Sequence, residues 1–83
     1  MPYKRPYKEL GVILKVVSWV PYQHHVCEDE DGKKHNVDLY VGCNEDLPLK
    51  GFDMVGAVVE CEWLQVYLEL ANNTKIIKKP DAV

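Results

Sequence analysis

Nothing in this sequence approaches the ~18 consecutive apolar residues of a membrane-spanning helix, so no membrane partner is expected. Closely spaced cysteines are also missing. Cys27, Cys43 and Cys61 are odd in number, and no Cys-x2-Cys pair occurs. A disulfide framework is therefore not expected, and a reduced intracellular protein, cytoplasmic or nuclear, is the simplest reading. Positive charge is not in surplus: the formal net charge is −3. The first residues are polar and interrupted by proline, so no signal peptide is expected there. Eighty-three residues make one domain with a modest core.

The charge is unevenly placed. Lys4, Arg5 and Lys8 against Glu9 leave residues 1–10 at +2, and Lys75, Lys78 and Lys79 against Asp81 do the same for residues 75–83. Between them, eleven acids face four lysines, a net −7. An acidic body disfavours wrapping a phosphate backbone around the whole domain, but a local basic patch where the two ends meet stays open.

What is present is β-like. In the stretch Gly51–Leu70, Val55, Ala57, Val59, Cys61 and Trp63 share one face of an extended chain, and Val58, Glu60 and Glu62 share the other. The phase changes near Leu64-Gln65, which implies a turn, a bulge or a new strand. The alternative is a helix over about residues 60–71, because Cys61, Leu64, Tyr67, Leu68 and Ala71 also fall on one helical face.

Gly11–Val20 is rich in β-branched and aliphatic residues and ends at Pro21, as a strand would. Asp31-Gly32 suits a two-residue type I′ turn. That turn sets Glu30 opposite Lys33, Glu28 opposite His35, Val26 opposite Val37 and His24 opposite Leu39. Val26, Val37, Leu39 and Val41 then face the core, and His25, Cys27, Asn36, Asp38 and Tyr40 face outward. Asn44 is a candidate N-cap for a short helical turn. Asn72-Asn73 is a second type I′ candidate, folding Thr74–Lys78 back onto Val66–Leu70. The expected organisation is a flexible basic arm over 1–9, one barrel domain over 10–79 and a tail over 80–83.

Strand, Asp-Gly hairpin, loop, strand, strand is the element order of a small all-β, five-stranded OB-like barrel. Gly11-Val12-Ile13-Leu14-Lys15-Val16 resembles the opening strand of cold-shock-like OB domains. Leu49-Lys50-Gly51-Phe52-Asp53-Met54-Val55-Gly56-Ala57-Val58-Val59-Glu60 resembles the segment entering their fourth strand. The resemblance spans roughly residues 10–78. Where those domains carry base-stacking aromatic motifs, this chain reads Gln23–Cys27 and His35–Tyr40, with only histidines and Tyr40 able to stack.

The chemistry-bearing residues suggest binding rather than catalysis. His24, His25, Cys27, His35 and Cys43 are metal-capable, but alternation sends His25 and Cys27 to one face and His24 and His35 to the other, so four converging ligands are not expected. The acidic run Glu28–Asp31 lacks the spacing of an EF-hand loop. No context marks Cys27 or Cys43 as a nucleophile. Neither enzyme activity nor a metal or other cofactor is expected. The resemblance implies binding of single-stranded DNA or RNA across the second and third strands. Candidate contacts are Trp19, Tyr22, His25, Lys33, Lys34 and Tyr40, with Lys4 and Arg5 from the arm. The alternative is a protein-interaction or assembly module using the same face or an exposed strand edge, since Tyr and Trp are enriched at protein interfaces.

Overall fold

The computed structural model describes residues 7–42, 47–65 and 69–81. Among the described residues six strands form: β1 (Tyr7–Val20), β2 (His24–Glu28), β3 (Lys34–Val41), β4 (Leu47–Pro48), β5 (Val58–Gln65) and β6 (Glu69–Lys78). Five of them close a ring. β2 pairs with β1, β1 with β5, β5 with β6, and β6 with β3, and β3 returns to β2. All these pairs are antiparallel except β3 with β6, which is parallel. The two-residue β4 lies against the end of β3. The chain is a small all-β barrel.

Closing five strands requires that the long ones bend, and bulges supply the bend. β1 shifts register between Glu9 and Val12, where Gly11 takes a left-handed φ of 67°. It shifts again between Val16 and Ser18. Its first half thus pairs with β5 and its second half with β2. β1 starts at Tyr7, so the strand takes in residues 7–9 of the expected arm; Lys4 and Arg5 lie outside the described residues.

The core is assembled from all five ring strands and one loop. Leu14, Val16, Cys27, Val37, Leu39, Met54, Ala57, Val59, Cys61 and Ala71 are buried. Each large aliphatic side chain among them contributes about 1.5–3 kcal/mol by leaving water. Of the set Val55, Ala57, Val59, Cys61 and Trp63 expected on one face, Ala57, Val59 and Cys61 are buried and Val55 and Trp63 half-buried, and the strand itself starts only at Val58. Residues 51–57 form a loop across the barrel end, and Met54 from that loop fills the core. Gly56 in this loop has φ 91°, and a Cβ there would run into the Asp81 carboxylate. Pro80 is buried and the Asp81 amide donates to the Val55 carbonyl, so the chain after β6 stays on the barrel.

Several sequence-based expectations are corrected. Glu60–Gln65 and Glu69–Ala71 are strand, so the helical alternative for residues 60–71 does not hold on the described residues. Asn72-Asn73 is not a turn. Both residues lie inside β6, where Asn73 has φ 49° at a register shift opposite Glu60–Glu62. β6 therefore folds onto Val58–Gln65 instead of Val66–Leu70. The Asn44 turn and Cys43 lie outside the described residues.

The β2–β3 hairpin is real, but its register is one residue off the expected one. Glu28 pairs with Lys34, Cys27 with His35, Val26 with Asn36 and His25 with Val37. Asp31 has no positive φ, so no type I′ turn forms; only Gly32 is left-handed, at 83°. The loop spans Asp29–Lys33 and is organised by Asp29. Its carboxylate accepts from the Asp31 and Lys33 amides, both at 2.9 Å, and its carbonyl accepts from the Gly32 amide at 3.0 Å. Short Asp side chains commonly hold their own backbone in this way. A one-residue slip exchanges the faces of a strand. β3 keeps its expected inward residues Val37 and Leu39, but on β2 it is His25 and Cys27 that point in, with Val26 outside the core.

Candidate binding surface

The β1–β2 connection is a tight turn over Pro21–Gln23, closed by the Gln23 amide donating to the Val20 carbonyl at 3.0 Å. Tyr22 sits in it with φ 62°. Left-handed backbone is uncommon for a residue with a bulky side chain and costs about 1–3 kcal/mol. The surroundings hold it there. The Tyr22 amide donates to the Lys50 carbonyl at 2.8 Å, and the Trp19 indole Nε1–H donates to the same oxygen at 2.9 Å. The Tyr22 ring lies against Gly51, with Cε1 only 3.1 Å from where a Cβ would stand. The ring is nevertheless 76% exposed as a residue, and Phe52, next along that loop, is 62% exposed.

His25 carries the loop from beneath. It is fully buried, stacked on Trp19 with centroids 6.2 Å apart and ring planes 18° from parallel. Its Nε2 is 2.8 Å from the Phe52 carbonyl and 3.4 Å from the Met54 amide nitrogen. One nitrogen cannot donate and accept at once, and the shorter contact assigns the proton to Nε2, donating to Phe52. Nδ1 is then a buried lone pair with no hydrogen-bond partner. Burial lowers the pKa of His25, partly offset by the Phe52 carbonyl, so the ring is neutral at pH 7. His25 pairs with Val37 and turns inward instead of outward, and a wholly buried ring offers no face to a ligand.

The sequence-selected residues divide into separate groups. Trp19, Tyr22 and Tyr40 lie at the end of the barrel where β2 begins, with Tyr40 half-buried and paired with Pro48 of β4. Lys33 and Lys34 are exposed at the other end of β2, roughly 13 Å away at ~3.3 Å per residue. There they neighbour Asp29, Glu30 and Asp31, which with Glu9 line a groove of about 180 Å³. Two contributors escaped the sequence reading: Phe52 and Lys50. The only phenylalanine of the chain stands directly after Lys50-Gly51, and a glycine-flanked aromatic outside any strand pattern was the available signal.

A second cluster lies at the hairpin loop. His35 Nε2 is 2.8 Å from Asp29 Oδ2, and Nδ1 is 2.9 Å from Glu69 Oε1. The ring meets Trp63 edge-on at 5.3 Å. Burial alone would lower the pKa of His35, but the hydrogen bonds to Asp29 and Glu69 outweigh it and the net shift is upward. Both described cysteines are protonated and shielded: burial raises Cys27 to about 12 and Cys61 to about 11. Among the described residues no three His, Cys, Asp or Glu side chains are grouped to hold a metal ion.

Comparison with known proteins gave no match: no family model fits the chain, and neither a curated protein nor a solved structure is significantly similar to it.

Proposed function

We propose that this chain is a non-catalytic binding module and that its ligand is a protein, received at the barrel end formed by Tyr22, Phe52 and Trp19. The observation that carries this reading is Tyr22: a strained backbone holds a mostly exposed ring beside a second exposed aromatic. Strain of this kind clusters at ligand-contacting positions. Rigid aromatic rings with few rotatable bonds are the side chains that dominate protein interfaces. Leu47, 58% exposed on β4 opposite Val41, extends the apolar character of this end.

The local charge favours a protein over a phosphate backbone. Lys50 has Asp53 close by in sequence, and Lys33 and Lys34 are removed from the aromatics and set among acids. Single-stranded nucleic acid nevertheless remains the second reading, because an exposed Tyr22 on the loop between the first two strands is the kind of stacking platform that OB-like barrels use. The raised pKa of the buried Cys27 and Cys61 leaves neither thiol as a nucleophile.

Salt separates the two ligands. The protein would be immobilised and its cell extract passed over it at low and at raised ionic strength, beside a Tyr22→Ser/Phe52→Ser double variant. Retention of one partner that survives raised salt and is lost with the variant supports the protein reading. NMR shifts at Tyr22 and Phe52 on adding a single-stranded oligonucleotide, abolished by salt, would replace it with the second.

A further inference from the structure

We propose that the edge of β6 from Lys75 to Lys78, which no described strand covers, receives an acidic extended segment of a partner protein as an added strand. β3 pairs with β6 only from Glu69 to Ala71. Gly42 packs so closely on Asn73 that a Cβ there would collide with it. Beyond that point β6 continues with β5 on one side, and among the described residues no strand lies on the other. Lys75–Lys78 is thus an exposed edge, and its outward-turned backbone groups are a template for strand addition.

The side chains select the occupant. Ile76 pairs with the buried Val59, yet is itself 48% exposed; Ile77 is 59% exposed. Lys75 and Lys78 bracket them, and Lys79 follows. Lysine alone on an edge is the usual guard against unwanted pairing. An edge built only for protection would not also present two large apolar side chains. The lysines do reject a second copy of β6. An antiparallel pair centred on Ile76-Ile77 sets Lys75 against Lys78, and a parallel in-register pair sets each lysine against itself. Like charges directly opposite one another destabilise a strand pair. A strand with acids opposite Lys75 and Lys78 and aliphatic residues between them meets all four side chains favourably. This surface shares no residue with the aromatic end and does not depend on it.

The test uses the isotopically labelled full chain and a capped seven-residue peptide, Val-Val-Glu-Val-Val-Glu-Val, whose glutamates stand three residues apart as Lys75 and Lys78 do. Two control peptides replace glutamate with lysine or the central residue with proline. The expected result is amide shifts at Lys75–Lys78 with the acidic peptide, an affinity that falls as salt is raised, and no shifts with either control. The Lys75→Glu/Lys78→Glu variant, altered only at exposed positions, should exchange the preference and take the lysine peptide. No shift at high peptide excess, equal binding of the proline peptide, or shifts confined to Tyr22 and Phe52 would overturn the proposal. The last result would leave the aromatic surface standing without it.

Discussion

His35 Nε2 lies 2.8 Å from the Asp29 carboxylate, so the residue that begins the β2–β3 loop is clamped to the strand that leaves it. Glu69 takes the other ring nitrogen and joins the start of β6 to the same point. Only the imidazolium donates from both nitrogens.

The pH dependence of this clamp follows from the two partners. His35 has a folded pKa above the ordinary 6.5, so its contribution is complete below 6.5 and disappears as pH rises through the raised value. Asp29 is shifted down from 3.8, mainly by its hydrogen bond to His35, so its contribution is present above 3.8 and disappears as pH falls through the lowered value. The stability lost in His35→Asn should therefore be largest between these two limits and shrink toward pH 9. Urea unfolding of both proteins across that range measures it; a difference independent of pH would contradict the clamp.

His25 titrates with the opposite sense. Its folded pKa is lowered, chiefly by burial, so the unfolded chain takes up a proton first and stability falls as pH drops below 6.5. His25→Phe keeps an aromatic ring beside Trp19 but loses the hydrogen bond to Phe52, at a cost of about 1 kcal/mol near pH 7. It should also remove this acid sensitivity, so that the gap between variant and parent narrows or reverses at pH 5. Thermal melts at the two pH values decide the matter.

The thiols of Cys27 and Cys61 should resist alkylation at pH 8, since burial raises them to about 12 and about 11. Peptide mapping after iodoacetamide should find both sites unmodified in native buffer and modified in urea. Rapid native labelling of Cys27 would mean that β2 opens readily.

At Tyr22 stability and binding should part company. Glycine adopts φ 62° without cost, whereas a β-branched residue does not. Tyr22→Gly should hold or raise the melting temperature despite losing the ring contact with Gly51. Tyr22→Val should lose about 1–2 kcal/mol. Both should lose the ligand, and calorimetry beside the partner-retention experiment separates the two effects.

Much of the barrel was legible from alternation. Val37 and Leu39 on β3 and Ala57, Val59 and Cys61 near β5 were found facing the core from period two alone. Two places misled, for one reason: an asparagine or aspartate was given a different local role. Asp29, not Asp31, organises the hairpin loop by capping two amides, and that slip turned His25 and Cys27 inward. Asn73 takes a left-handed backbone to bulge a strand, where the same preference in Asn72-Asn73 had indicated a turn. The aromatic surface was half legible. Trp19 and Tyr22 stood out by type, but Phe52 and Lys50 reach them across some thirty residues, through the Lys50 carbonyl that no local pattern announces.

The ring has a consequence for how it comes into being. β5 is flanked by β1 on one side and β6 on the other, and β6 closes the ring by joining β5 to β3. A chain emerging from the ribosome can form the β2–β3 hairpin and lay β1 beside it. It cannot close the ring until β6 has emerged, because the parallel join to β3 waits for it. Until then the inner face of β1, with Leu14 and Val16, stands open, and the core is completed only when β6 arrives.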